Sequence, residues 1–436
     1  MRRKRASRLV TLALALLVFM TAAGPAIAHR GGRDDFYTPP PSPGSLAQIR
    51  DLRRHGQWHD ASLISKMIKT PSAVWFNGGT PREVRKEVAE VVRAADRKHT
   101  VPVLVAYNIP FRDCAQFSAG GATTVEEYKA WIDGFAKGIG WREAIVILEP
   151  DGLGIIPWYT PIGAGMEWCQ PAEANPATAA SERFEMLNYA VDQFAALPNV
   201  NVYLDGTHSA WLNVGDASDR LVKAGVQQAD GFYLNVSNYQ FTANLGQYGN
   251  WISSCITYAT VINPGDFINC PNQYWNGGPL PAKIAVLLGE WTGVALSNYG
   301  EWSDTSDDPA LNTSGINLRY ANMLGAVGPT THFVVDTSRN GQGPWSPTPG
   351  YPDPQDWCNP PDRGLGLRPT TDTGNALIDA YLWVKIPGES DGECTRGLGP
   401  AGTTVDPEWG LIDPPAGVWF PEMALQLATN ANPPLN

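Results

Sequence analysis

Apolar runs alternate with segments of helical periodicity along most of the chain. The runs are short, continuous and rich in Val, Ile and aromatic residues, which is typical of strands buried on both faces. Helical patterns lie between them, and the clearest begins with a capping box formed by Thr80 and Glu83 around Pro81. We predict strands at residues 72–76, 101–109, 144–150, 199–205, 231–236, 283–291, 331–338 and 379–385, and helices at 80–98, 125–139, 181–197 and 219–225.

Seven or eight alternations of strand and helix predict an α/β fold with a parallel sheet covered by helices. The chain length and the number of repeats favour a TIM-like β/α barrel over an open doubly wound sheet. Neither GxGxxG nor GxxxxGK[ST] follows a strand, so the sequence gives no support for a nucleotide site.

The first 28 residues have the three parts of a secretory signal peptide. A basic head precedes the apolar run LVTLALALLVFM, and small residues form a cleavage site that ends at Ala28. The run is short and stops at Gly24 and Pro25, which disfavours a membrane anchor. We therefore expect a secreted protein with a signal peptide at 1–28, an extended arm at 29–45 and one folded domain at 46–436.

The charge and the aromatic content of the chain indicate which classes of molecule it could bind. The formal charge is −11, and it becomes −16 when the signal with its five basic residues is removed. Such an acidic surface argues against nucleic acid and against anionic membranes. The 16 Trp residues supply flat aromatic faces of the kind on which sugar rings stack, although some must be core residues.

An even number of cysteines in an exported chain favours three disulfides, and their spacing alone does not fix the pairing. Proximity suggests Cys255–Cys270, which would leave Cys114–Cys169 and Cys358–Cys394. None of the six lies in a CxxC pair or beside a His cluster, so we expect no metal and no cofactor.

Acidic residues follow many of the predicted strands. In a parallel barrel the carboxyl ends of the strands form one rim, where functional residues concentrate. Any one acid could be a helix cap or an ion-pair partner, but six such endings on one rim are costly without a task. The endings contain Arg112 and Asp113; Glu149 and Asp151; Asp205, His208 and Trp211; Glu290 and Trp291; Asp336 and Arg339; and Lys385, Glu389 and Asp391.

Several carboxyls, many Trp residues and no metal motif indicate glycoside hydrolysis. That reaction needs one carboxyl group kept protonated by its surroundings and a second carboxylate that assists the attacking water. The chain lacks a GxSxG elbow and an HExxH motif, and no His is paired with a candidate nucleophilic Cys.

Seven ordered motifs then resemble glycoside hydrolase family 6, the inverting cellulases. The resemblance extends from about Phe36 to the C-terminus and implies a distorted barrel of about seven strands that cuts β-1,4-glucan. The motifs are YNIPFRDC, VILEPDGLG, YLDGTHSAWL, GFYLNVSNY, HFVVDTSRNGQGP, WCNPPDRGLG and DAYLWVKIPGESDG.

The resemblance implies a role for each matching residue. Asp151 corresponds to the general acid, and Asp113 to the neighbour that raises its pKa and helps to handle the proton of the attacking water. Asp391 falls on the position proposed as base, which is often thought to act through a water chain, and Asp205 shapes the charge of the site. The other matches are Tyr107 under the sugar ring, Arg112 orienting Asp113, Ser118 holding the attacking water, Trp75, Trp211 and Trp357 as platforms, His208 beside Trp211, and Asn238, Lys385 and Glu389 as sugar contacts.

Several positions depart from the family pattern, and one acidic residue of the motifs is expected to have no part in the reaction. Ser118 is displaced by one residue, and Gly206-Thr207 is a loop variation. Val214 replaces a second Trp of some members, so a distal product-side platform could be absent. Glu149 we expect to be structural and paired with a basic neighbour.

Long loops favour an enclosed site that releases cellobiose from the non-reducing end. They are the segment after Asp391, the loop at 255–270 and the stretch at 158–178. An endoglucanase with an open cleft is the alternative, since the loops could lie flat against the barrel. A noncatalytic carbohydrate-binding protein is a remote alternative, and mixed-linkage glucan or xylan could replace cellulose as substrate. We expect a monomer whose partner is a β-1,4-glucan.

Overall fold

The computed structural model describes residues 35–275, 294–347 and 349–435. Seven strands in these ranges form one sheet in the order of the sequence, and all neighbouring pairs are parallel. The strands are β1 (Val74–Phe76), β2 (Val103–Ala106), β3 (Ala144–Leu148), β4 (Val200–Asp205), β5 (Gly231–Leu234), β6 (His332–Asp336) and β7 (Ile378–Leu382).

The sheet curls so that its first and last strands approach each other. The N–H of Ala73 donates to the carbonyl of Trp383 at 2.9 Å, and the indole N–H of Trp75 donates to the carbonyl of Val384 at 2.8 Å. These bonds bring the start of β1 to the end of β7. All seven carboxyl ends therefore lie around one rim.

Both faces of the strands are buried, which explains their continuous apolar sequences. In β3, Ile145 and Ile147 point into the barrel, while Val146 and Leu148 pack against the outer helices. The inner layer also contains Val103, Val105, Tyr107, Tyr203, Tyr233, Val334, Ala380 and Leu382.

Helices cover the outside of the sheet. In the described residues they are α1 (Pro43–Arg54), α2 (Trp58–Met67), α3 (Pro81–Asp96), α4 (Val125–Ile139), α5 (Ala179–Ala195), α6 (Val214–Lys223), α7 (Thr242–Thr257), α8 (Ser314–Leu324) and α9 (Pro421–Thr429).

Helices α3 and α4 show how the sequence sets the packing. The predicted capping box of α3 is present, because the Thr80 hydroxyl accepts from the N–H of Glu83 and the Glu83 carboxylate accepts from the N–H of Thr80. The two helices approach closely at Gly134, where a Cβ would lie 2.3 Å from the carbonyl oxygen of Pro81. Glycine is needed there because any side chain would separate the helices.

The predicted architecture is confirmed, with strands shorter than the apolar runs. The runs are longer because apolar residues continue into the rim loops. The predicted strand at 283–291 lies outside the described residues, as does the proposed signal peptide. The helices α1, α2, α7, α8 and α9 were not predicted, and α1 begins inside the proposed extended arm.

The three disulfides join the expected partners. Cys114–Cys169 links the loops after β2 and β3, Cys255–Cys270 links the last turn of α7 to the segment that follows it, and Cys358–Cys394 links the segments after β6 and β7. Two of the three therefore tie rim loops together. Over the described ranges, every helix is too short or too polar to cross a bilayer.

The packing between the sheet and the outer helices can be tested at Phe135. Its fully buried ring contacts Phe76 of β1, Trp131 of α4 and Phe194 of α5, with ring centroids 5.2 to 5.5 Å apart. Phe135→Ala should lower the free energy of unfolding by about 3–5 kcal/mol, since it leaves a cavity between three elements. Chemical denaturation measures the change. The exposed Trp58 gives the control Trp58→Ala, and a similar small loss in both variants would contradict the packing.

Candidate active site

A cleft of about 1020 Å³ lies over the carboxyl rim of the barrel. Its walls come from the loops after most of the strands, and they contain both acidic and aromatic side chains. The predicted site residues that line it are Trp75, Tyr107, Arg112, Asp113, Ser118, Asp151, His208, Trp211, Asn238, Trp357, Lys385, Glu389 and Asp391.

Asp151 enters the cleft from a tight turn at the end of β3. Glu149 and Asp151 both have positive φ, 52° and 63°, which is costly for residues other than glycine and persists only where the surroundings hold it. The turn is closed by the N–H of Gly152, which donates to the carbonyl of Glu149 at 2.8 Å. A Cβ on Gly152 would lie 2.6 Å from that same oxygen, so only glycine fits.

The surroundings of Asp151 favour its protonated form. Burial raises the pKa of Asp151 well above its usual value, and the carboxylates of Asp205, Asp113 and Asp391 raise it further. The Lys385 ammonium opposes them without cancelling the effect. A carboxyl group that keeps its proton above the usual pH range can act as a general acid.

Asp113 lies on the loop after β2. Burial raises the pKa of Asp113 to about 6, although the N–H of Ser118, which donates to its Oδ2 at 2.7 Å, and the Arg112 charge both lower it. Asp113 also has positive φ, 56°. The carboxyl group can therefore gain or lose a proton within the ordinary working range of an enzyme.

Asp391 is in the opposite electrostatic situation. Its Oδ2 accepts from Arg339 at 2.9 Å, from the Tyr239 hydroxyl at 3.1 Å and from the N–H of Asn359 at 3.1 Å, while Lys385 Nζ lies 3.3 Å from Oδ1. Burial alone would raise the pKa of Asp391, but the Arg339 and Lys385 cations outweigh it and hold the pKa below its usual value. Asp391 is therefore ionised.

Aromatic rings line the rest of the cleft. The Trp75 and Tyr107 rings meet edge to face with centroids 5.4 Å apart, and Trp211 lies so close to Gly154 that a Cβ there would be 2.4 Å from its ring. Burial lowers the pKa of His208, beside Trp211, to about 3, so its imidazole is neutral. The cleft thus combines a carboxyl that favours its protonated form, the ionised carboxylate of Asp391 and flat apolar faces.

The family model for glycosyl hydrolases family 6 matches residues 32–264 and 285–431. The chain belongs to this family. The fold agrees with solved members. The endoglucanase Cel6 from Mycobacterium tuberculosis has a TM-score of 0.61 at 29% identity, over 92% of this chain and 98% of that one. The catalytic core of the cellobiohydrolase Cel6A from Chaetomium thermophilum has a TM-score of 0.58 at 25% identity, over 90% of this chain and 96% of that one.

Curated relatives carry two kinds of name. Endoglucanase A of Thermobispora bispora is 30% identical over 96% of this chain and 67% of its own length, and endoglucanase 1 of Streptomyces halstedii is 32% identical over 93% and 97%. The probable 1,4-beta-D-glucan cellobiohydrolase C of Aspergillus niger is 30% identical over 84% and 69%. The chain thus spans about two thirds of the length of the Thermobispora bispora endoglucanase and of the Aspergillus niger protein.

Asp205 is the one predicted site residue that does not line the cleft. It lies beneath the Asp151 turn and accepts from the N–H groups of Leu153, Gly154 and Thr207 at 3.3, 3.1 and 2.8 Å. Burial raises the pKa of Asp205 to about 6, and the three N–H donors oppose this. It acts on Asp151 through charge and through the shape of the turn.

The expected cationic partner of Glu149 was wrong, and Arg112 acts on Asp113 through main-chain groups. The guanidinium of Arg112 donates to the carbonyls of Ser118 and Asn77 at 2.8 and 3.0 Å, so it shapes the loop around Asp113 and does not bind the carboxylate itself. Glu149 accepts from the N–H groups of Asn108 and Ile109 at 2.9 and 3.0 Å in place of a cation. Nearby Arg183 donates to main-chain carbonyls instead.

Several residues that hold the site together were not predicted in that role. The partners of Asp391 are Arg339, Tyr239 and Asn359, and all three stand inside motifs that were noted without these roles. Asp336 accepts from the N–H groups of Val384 and Lys385 and so fixes the loop after β7. The only feature of the sequence that pointed to Asp336 was its position directly after a predicted strand. The predicted rim residues Glu290 and Trp291 lie outside the described residues.

The long loops contribute less wall than expected. No residue of 255–270 lines the cleft, and of 158–178 only Trp168 does. From 392–417 only Ala416 and Gly417 reach it, because buried Arg396 binds Asp406 and holds the rest of the segment against the residues before Asn359.

A possible metal cluster in the described residues has an unsuitable donor. Cys394, Asp406 and Asp413 offer atoms within 4.8 Å of one another. The Cys394 sulfur is bonded to Cys358, so it cannot provide a thiolate.

The buried carboxyls predict how stability changes with pH. In an unfolded chain they titrate near pH 4, whereas burial raises the pKa of Glu149 to about 7. The folded protein therefore holds protons that the unfolded chain has lost, and its free energy of unfolding falls as the pH rises from about 4 to about 7. Glu149→Gln should reduce this fall by on the order of 3 kcal/mol.

Chemical denaturation at pH 5 and at pH 8 measures that difference. Glu143 is exposed, so Glu143→Gln is the matched control and should keep the wild-type fall. An unchanged fall in the Glu149 variant would contradict the raised pKa.

Proposed function

We propose that the protein is an inverting β-1,4-glucanase that hydrolyses cellulose and cello-oligosaccharides. The observation that carries this is the pair of opposite carboxyl environments in one cleft: Asp151 is held protonated among carboxylates, while Asp391 is held ionised by two cations. Glycoside hydrolysis with inversion needs such an acid together with ionised carboxylates.

In the proposed reaction Asp151 gives its proton to the glycosidic oxygen as the bond from that oxygen to the anomeric carbon breaks. A water attacks the opposite face of the anomeric carbon, and its proton passes to the Asp113 carboxylate beside Ser118. Asp113 suits this step better than Asp391, because the oxygens of Asp391 are engaged by Arg339, Tyr239, Asn359 and Lys385. Asp391 then stabilises the positive charge that develops on the sugar.

The substrate contacts follow from the aromatic lining. Tyr107, Trp75, Trp211 and Trp357 would stack on glucosyl rings, and Asn238, His208, Lys385 and Glu389 would bind hydroxyls. Support for the substrate class comes from the Mycobacterium tuberculosis endoglucanase, whose structure contains a methyl-cellobiosyl-thio-cellobioside. A single catalytic domain at 46–436, export directed by residues 1–28 and a monomeric state complete the proposal.

Asp151→Asn tests the function. It should lower the rate of cello-oligosaccharide hydrolysis by about 10²–10⁴-fold, since it removes the proton donor and keeps the shape. Wild-type products, followed by proton NMR, should appear first as α-anomers. Exposed Asp307 gives the control Asp307→Asn, which should stay at the wild-type rate. Products that start as β-anomers would overturn the proposal.

We further infer an enclosed site that works from a chain end. The loop after β2 carries Phe117 to the segment after β6, where its ring centroid lies 5.9 Å from that of Trp357. A Cβ on Gly392, next to Asp391, would be 2.4 Å from the Phe117 ring. A contact between the Asp113 loop and the Asp391 loop restricts entry to threading. Endo attack is the second candidate, favoured by relatives named endoglucanases and by the long loops that leave the cleft.

Phe117→Ala tests the mode of attack. Loss of the bridge should raise the fall in carboxymethylcellulose viscosity per reducing end released by about five-fold, because internal bonds gain access. Trp141→Ala is the control, since that ring is exposed and precedes β3, at the end of the barrel away from the cleft. Rapid loss of viscosity with the wild type would favour endo attack.

A further inference from the structure

Trp168 is an exposed tryptophan at the wall of the cleft. It lies in the loop after β3, its exposed fraction is 61%, and it is one of the cleft-lining residues. An indole at the wall of a cleft offers a flat apolar face to a ligand that enters the cleft, whereas the similarly exposed Trp58 and Trp141 lie outside it.

Both neighbours of Trp168 are firmly anchored. The Glu167 carboxylate forms an ion pair with buried Arg220 and accepts from the N–H of Ile156 at 3.2 Å. On the other side, fully buried Cys169 is bonded to Cys114, next to Asp113, and its carbonyl accepts from the N–H of Trp158 at 2.9 Å. The backbone at Trp168 is therefore fixed, so a ligand would lose little conformational freedom by stacking on the ring.

The position of Trp168 on the rim shows which other cleft residues lie on the same side. It shares the side of β3 and β4 with Trp211, whose ring packs on Gly154. In a ring closed between β1 and β7, that side lies across from the β7 loop, which carries Lys385 and Glu389. Trp168 and Trp211 therefore belong to the loops of one side of the cleft, and Lys385 and Glu389 belong to the loop of the other side.

Val214, where a second platform could have been expected, is fully buried at the start of α6. It cannot present a surface to a ligand. Trp168 offers such a surface from a different loop.

We propose that Trp168 forms an outer binding site for a glucosyl unit of a β-1,4-glucan chain that extends beyond Trp211. This inference rests on the proposed function for the nature of the ligand. The site contributes binding energy only when the chain is long enough to reach it, so it sets a preference for longer substrates.

The test compares chain lengths. For the wild type, kcat/KM should rise from cellotetraose to cellohexaose. Trp168→Ala should lower kcat/KM about three- to ten-fold on cellohexaose, mainly through KM, and leave cellotetraose within about two-fold. Trp168→Tyr should recover most of the loss, because it restores a flat ring.

Trp141→Ala is the matched control. That ring is 67% exposed and precedes β3, at the end of the barrel away from the cleft. It should leave every chain length unchanged. Equal losses at all lengths in the Trp168 variant, or no loss at any length, would overturn the outer site.

Calorimetric binding of cellohexaose to Asp151→Asn, with and without Trp168→Ala, separates the two proposals. Weaker binding in the double variant supports the outer site even if the wild type hydrolyses nothing, which would refute only the proposed function. Equal binding in both refutes the outer site alone. Matching circular dichroism and thermal unfolding of the Trp168 and Trp141 variants show that folding is not the cause.

Discussion

The protonation of Asp151 depends on its burial and on the negative charge held close to it. Asp205, Asp113 and Asp391 each raise its pKa, and they reach it from three different strands. Like charges repel, so the fold must provide the free energy that keeps them together. Main-chain N–H groups hold Asp205, one N–H binds Asp113, and two cations hold Asp391.

The same contacts define the backbone around the acids. Asp205 binds the turn that carries Asp151, and Glu149 binds the start of the loop that leads to Asp113. Both acidic loops contain residues with positive φ, a conformation that these bonds stabilise. Electrostatics and loop geometry are therefore set by one group of buried carboxyls, and a change in one would alter the other.

Much of this organisation could be predicted from the sequence. Strand periodicity gave the barrel, and its closure places residues such as Asp113, Asp151 and Lys385 on one rim. Partners of side chains could not be predicted, because Arg112 and Glu149 bind main-chain groups that no pattern reveals. The helices α1 and α9 were missed since their neighbours in space, not their periodicity, make them stable.

Loop length proved a poor guide to the walls of the cleft, because length does not say where a loop packs. The segment after Asp391 is long, yet the buried pair of Arg396 and Asp406 draws most of it away from the cleft. The short loop that carries Phe117 contacts Trp357 at the cleft instead. Both loops are tied by a disulfide, Cys114–Cys169 in one and Cys358–Cys394 in the other. The walls of the cleft therefore depend on where a few side chains anchor the rim loops, and not on loop length.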